Sequence, residues 1–354
     1  MKKIGILILC LALSVVMVAG CSQVPDQTSA DPSSPGGAEK TAAAGSDGAV
    51  SAGDFAVQPK NGDKFRIGVV IKTLESPFYQ NMAKALENEY ADSDIYEIIL
   101  QASKTETDTA GFIQIIEDMI TKDVDVLIVV PGDPDAVAPT LENVVAAGIP
   151  VICVETDVPS LEGKLTYIGI DNVSGGAAVV QYMFDEGYVK EGDEIALITG
   201  PVGYTTTTDR AQGAKNAVEK NGGVLVSEQP ADWDRQKGLD VAENILTANP
   251  NLKYIIASNS QMAVGAAEAV ASAQKTGEIF ITGFDGVMDE FTAIQDGRLI
   301  ATALQPSDQY GLLAMEKLDE YLKGSTLEEV YYVDSPLITK DNVQEFIDAS
   351  IENQ

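Results

Sequence analysis

Residues 65–79 read FRIGVVIKTLESPFY. The first seven form an apolar run broken only by Arg66 and Gly68. A polar segment comes next, Lys72 to Ser76. Pro77 then opens PFYQNMAKALENEY, which has helical spacing. The same apolar run returns as YEIILQA, VDVLIVVP, IPVICVE, LTYIGI, EIALITG, GVLVSEQ, KYIIASN, EIFITGF and LIATALQ. Helical patterns such as TAGFIQIIEDMITK and QMAVGAAEAVASAQ lie between them. The runs read as apolar throughout, the pattern of parallel strands covered on both faces. Strand and helix in alternation from Lys64 to Thr339 make a doubly wound α/β chain. A break near Asp171-Asn172 divides it, and two sheets fit better than one of ten strands.

Composition narrows the function. There are 54 acidic against 23 basic residues and no histidine, for a net charge of −31. Phosphate binding needs a basic patch, so nucleic acid is excluded as a partner, as is electrostatic docking on anionic lipid. Without histidine the commonest general base and metal ligand is missing. GPVGYTTTT lacks the Lys-[Ser/Thr] ending of a phosphate loop, and no GxSxG, HExxH or CxxC occurs. No cofactor and no metal are expected, and no enzyme activity.

The first residues, MKKIGILILCLALSVVMVAGCS, have the layout of a secretory signal. The apolar stretch Ile4 to Val18 is short for a membrane span. Val18-Ala19-Gly20-Cys21 resembles a bacterial lipobox, with Val where Leu is commoner. That implies a signal peptide over 1–20, cleavage before Cys21 and lipid on its sulfur. Residues 21–63 are rich in Ser, Ala, Gly, Pro and Asp, with Phe55 the one aromatic. They read as a disordered tether. Cys10 leaves with the signal, and Cys153, inside IPVICV, reads as a buried small hydrophobe.

Open α/β sheets bind ligands beyond the carboxyl ends of their strands. Those ends carry KTLESPFY, PGDPD, ETD, PVGYTTTTDR, QPADWD, SNS, FDG and QPSD. Carboxylates, amides and hydroxyls suit the hydroxyls of an uncharged polyol, and an aromatic face suits the apolar face of a sugar ring. Trp233 is the only tryptophan in 354 residues, yet it lies between Asp232 and Asp234. A flat apolar surface at a polar place is what a sugar ring needs.

These segments, in this order, resemble the periplasmic sugar-binding proteins of the ribose-binding type, the substrate-capturing component of ABC importers. The resemblance runs from about Lys64 to Thr339. It implies the type I periplasmic binding protein fold: two Rossmann-like lobes with parallel sheets joined by a three-strand hinge. The crossings fall near Asp171, Gln305 and Asp334. The N-terminal lobe would comprise 64–170 plus 306–333, and the C-terminal lobe 171–305 plus 334–350. By the same resemblance the ligand-binding residues are Phe78, Tyr79, Glu155, Arg210, Trp233, Asn259, Asp285 and Gln305. Ser76, Thr156 and Asp157 are further candidates. Ser76 stands where the family often has Asn, and Glu155-Thr156 where it often has Asp-Arg, which suggests a ligand other than ribose.

Each residue also has a structural alternative. Phe78 and Tyr79 are consecutive and cannot both point the same way, so either could instead be a structural anchor. Asn259 could cap a helix and Asp285 a turn. Arg210 could pair with surface acids, Trp233 could pack on a lobe surface, and Glu155 or Asp157 could be solvated. The expected partners are a small-molecule sugar or polyol, a membrane permease with its ATPase, and the membrane through the Cys21 lipid. A monomer, anchored outside the cytoplasm of a monoderm bacterium, is expected. A receptor presenting a sugar or autoinducer-2-like ligand to a chemoreceptor or sensor kinase is the alternative. A transcriptional regulator of related fold would need a helix-turn-helix before Lys64, where the lipobox and tether stand.

Overall fold

The computed structural model describes residues 58–352. The signal peptide, Cys21 and most of the expected tether lie outside the described residues. Within them the first elements are β1 (Phe65–Ile71), α1 (Pro77–Tyr90), β2 (Tyr96–Ala102), α2 (Thr109–Thr121), β3 (Val126–Val129), α3 (Pro134–Ala146), β4 (Val151–Val154) and β5 (Thr166–Gly169). Then come α4 (Asn172–Asp185), β6 (Glu194–Thr199), α5 (Thr205–Lys220), β7 (Val224–Pro230), α6 (Arg235–Ala248), β8 (Leu252–Ala257) and α7 (Ser260–Ser272). The last are β9 (Phe280–Asp285), α8 (Met288–Gln295), β10 (Ala301–Leu304), α9 (Ser307–Leu322), β11 (Val330–Tyr332), β12 (Leu337–Thr339) and α10 (Val343–Glu352). All ten apolar runs are strands. β11 and β12 have three residues each and carry no such run.

The strands form two sheets, ordered β11-β5-β4-β3-β1-β2 and β12-β10-β9-β8-β6-β7. Pairing is parallel except between β10 and β12. The inner strands β3, β4 and β5 are buried along their whole length. The reading of every run as apolar throughout fails at β2 and β7, which end their sheets and are half exposed. An edge strand has a neighbour on one side only, so Glu97, Gln101, Ser227 and Glu228 are tolerated there.

The chain passes between the sheets three times: after β5, after β10 and after β11. Asp171, Gln305 and Asp334 each lie on one of these passages. In each sheet the strand order reverses at one place, between β1 and β3 in the first and between β6 and β8 in the second. Beyond the carboxyl ends of those strands lies the crevice that such a reversal opens.

Polar residues at strand ends divide into two uses. Asp108, Asp133, Asp171 and Asp234 each accept a backbone N–H in the first turn of α2, α3, α4 and α6. They are caps. The Thr run of α5 is not one: Tyr204 takes the capping position, and no side chain caps the helix there. Helices α4 and α5 touch backbone to backbone. A Cβ on Gly176 would come 2.2 Å from the Arg210 carbonyl oxygen, and one on Gly213 1.9 Å from that of Val173. Any side chain at either position would drive the helices apart and move Arg210, which α5 carries.

Candidate functional site

Where β1 ends, Lys72 and the turn to Ser76 lead into α1. Phe78 and Tyr79, in its first turn, are both buried, with ring centroids 4.9 Å apart at 88°. Both line the same cavity, and both also belong to the buried hydrophobic core. Two consecutive helical residues differ by about 100° in direction. Set edge to face, both rings still reach one space.

Glu155 comes directly after β4, with φ 63°. Its carboxylate accepts from Lys72 Nζ at 2.7 Å and Thr156 Oγ1 at 2.6 Å, and Arg210 stands at 3.5 Å. Burial alone would push this carboxyl up. Lys72 and then Arg210 outweigh it and hold it below the usual range. Thr156 is fully buried, bonded to Glu155 and Lys72. Asp157 is turned elsewhere, accepting from Lys164 Nζ at 2.6 Å and the Val158 N–H at 2.8 Å. Neither residue is among those that line the cavity.

The other wall comes from the second sheet. Asp285 ends β9 with φ 105°. Its carboxylate accepts from the Ser260 N–H at 3.0 Å, Ser260 Oγ at 2.8 Å and Gln305 Nε2 at 2.8 Å. Gln305 in turn accepts from the Tyr310 hydroxyl at 3.3 Å. Arg210 is held by Asn172 Oδ1 at 2.8 Å and the Ser258 carbonyl at 2.9 Å, with its guanidinium over the Phe284 ring at 4.1 Å. It reaches Asp285 Oδ1 at 3.6 Å. Trp233 is buried, with φ 63°, and its ring lies where a Cβ on Gly200 would sit. Asn259 caps α7 through the Met262 N–H and also donates to the Trp233 carbonyl at 3.3 Å. Asn259 is thus the helix cap the sequence allowed, and it also lines the cavity.

Ser76, Phe78, Tyr79, Glu155, Arg210, Trp233, Asn259, Asp285 and Gln305 line one cavity. Lys72 and Glu106 also line it and were not singled out from the sequence. Lys72 had a signal, being the first residue beyond an apolar strand run. Glu106 stands four residues past YEIILQA, in a stretch that is polar throughout and so marks no one residue. Backbone strain concentrates here as well. Among the described residues six non-glycines have clearly positive φ; Glu155, Trp233 and Asp285 line the cavity and Asp232 precedes Trp233.

Behind Asp285 stands a second buried carboxyl, Glu290, which accepts from the Gly286 N–H at 2.7 Å and Thr302 Oγ1 at 3.0 Å. Burial first, then Asp285, pushes its carboxyl well above the usual range. Such a group binds a proton in the fold that the unfolded chain has released. Its contribution to stability therefore falls as pH rises above the unfolded value of about 4.3. Urea unfolding of Glu290→Gln at pH 5, 7 and 9 should show the variant gaining on the wild type as pH rises. Parallel curves would contradict a protonated Glu290.

Comparison with known proteins agrees with the geometry. The sequence model of the periplasmic binding protein domain family matches residues 67–326. The chain is 34% identical over 281 residues to a D-ribose/D-allose-binding protein of Pseudomonas aeruginosa, covering 77% of this chain and 87% of that protein. It is 33% identical over 278 residues to a ribose import binding protein of Bacillus subtilis, covering 78% and 87%. A crystal structure of an ABC transporter periplasmic solute binding protein from Actinobacillus succinogenes with bound D-allose superposes with a TM-score of 0.73 at 29% identity. It covers 80% of this chain and all of that one.

Proposed function

The chain belongs to the periplasmic binding protein family, in its ribose-type sugar-binding branch, and on that premise we propose that it captures a monosaccharide or polyol between two closing lobes. It is a sugar-binding component of ABC transport and not an enzyme. The observation that carries the proposal is the make-up of the cavity. Trp233 lies just beyond β7 of the second sheet, Phe78 and Tyr79 in α1 beyond β1 of the first, and Asp285, Asn259, Gln305, Arg210 and Glu155 line the same cavity. Aromatic faces take the C–H faces of a ring, and the polar side chains take its hydroxyls. The names of the relatives make pentoses and hexoses the first ligands to try.

The moving bodies are residues 64–170 with 306–333 and residues 171–305 with 334–350. A ligand bonding both favours the closed form by the difference in its affinity for the two forms. A permease can then distinguish loaded from empty protein. The same reading includes export by the signal at 1–20, a lipid on Cys21 and a tether to residue 63. The protein would act as a monomer held at the outer face of a monoderm membrane. Among the described residues no helix is long and apolar enough to cross a membrane. Labelled palmitate should enter the wild type and not Cys21→Ser; label in both would remove the anchor.

Trp233 is a single internal reporter for ligand. Titration of the chain without residues 1–21 with D-ribose, D-allose, myo-inositol and xylitol should give a saturable fluorescence change with at least one of them. Asp285→Ala should weaken it about 100-fold, the loss expected for hydrogen bonds to a buried charge. A flat response across the panel, with no thermal stabilisation, would sink the sugar reading.

A further inference from the structure

Glu106 lies between β2 and α2, at the carboxyl end of the first sheet, and lines the cavity. The other two carboxylates there are supplied with donors by the protein. Glu155 has Lys72 and Thr156; Asp285 has Ser260 and Gln305. Lys72 Nζ is already shared between Glu155 and Thr156. The carboxylate of Glu106 has no hydrogen bond or ion pair among the described residues. Its backbone is nevertheless fixed, because the Tyr204 hydroxyl, just ahead of α5 in the other lobe, donates to the Glu106 carbonyl at 3.1 Å. The carboxylate is thus set at the cavity by a contact that forms between the lobes.

Burial pushes the Glu106 carboxyl up to about 8, with Lys72 opposing and Asp285 and Glu155 adding to it. Glu106 is half-buried, and a polar group at a cavity that one ligand can satisfy discriminates against ligands that cannot. We infer that Glu106 accepts a hydroxyl of the bound polyol and is a specificity-determining residue of the site. The inference rests on the reading of the cavity as a polyol site. It deepens that reading by naming what the ligand must bring: a hydroxyl on the edge that faces the loop after β2, which can both donate to the carboxyl and accept from it. A methylene at that edge can do neither and would leave the carboxyl unpaired.

The test uses whichever of D-ribose, D-allose, myo-inositol and xylitol binds the wild type, together with its monodeoxy derivatives. Each is titrated calorimetrically into wild type, Glu106→Ala and Glu106→Gln. The expected result is a loss of about 10- to 100-fold in Glu106→Ala and a smaller loss in Glu106→Gln, which keeps an acceptor. One monodeoxy derivative should be weak on the wild type and no weaker on Glu106→Ala, so that the two losses do not add. Unliganded Glu106→Ala should unfold near the wild-type temperature, which excludes a folding defect as the cause. Equal affinity of Glu106→Ala and wild type, or additive losses at every hydroxyl, would overturn the inference while leaving the sugar reading intact. Failure of every sugar to bind the wild type would overturn both.

Discussion

Everything in the cleft is arranged around the guanidinium of Arg210. It stands 3.5 Å from Glu155, which ends a strand of the first sheet, and 3.6 Å from Asp285, which ends a strand of the second. One buried cation therefore touches both lobes. Taking such a group out of water costs several kcal/mol, and it is tolerated only where partners and hydrogen bonds replace the lost hydration. Asn172 and the Ser258 carbonyl supply fixed partners, the Phe284 ring supplies a cation–π face, and the α4–α5 contact holds the helix itself in place. With Arg210 pinned, the positions of Glu155 and Asp285 define how the lobes meet.

The remaining charges obey that constraint. Lys72 neutralises Glu155 from the first-sheet side, so Glu155 stays ionised although buried. Asp285 receives neutral donors as well as Arg210, yet burial still raises its carboxyl. The cavity is thus lined by three carboxyl groups, two of them raised by burial, and by the two cations Lys72 and Arg210. An uncharged ligand rich in hydroxyls complements such a surface. The strained backbone at Glu155, Trp233 and Asp285 places these side chains beyond their strands instead of beside them, and the surrounding packing holds that geometry.

Much of this was legible in the sequence because a parallel strand buried on both faces leaves a continuous apolar run, and the residues just past each run are the ones that reach the crevice. Phe78, Arg210, Trp233, Asn259, Asp285 and Gln305 all stand in such segments. The same rule also pointed to Asp133 and Asp157, which serve as a helix cap and a lysine partner. A strand end does not reveal which way its carboxylate turns. β11 and β12 were illegible because three residues cannot show a period, and their place comes from pairing with β5 and β10. Glu106 escaped because its strand lies at an edge, where polar residues look like ordinary surface. Positive φ at non-glycine positions is only weakly marked, by a preference for Asp and Asn, and Glu155 and Trp233 carry no such mark.

Closure around ligand is the central physical claim, and the distance between the lobes measures it. Leu74, beyond β1, and Val202, beyond β6, are exposed at the ends of the two sheets and can carry spin labels. Adding the sugar that changes Trp233 fluorescence should shift the label-to-label distance to a shorter and narrower distribution. An unchanged distribution at saturating sugar would contradict a cleft that closes on its ligand.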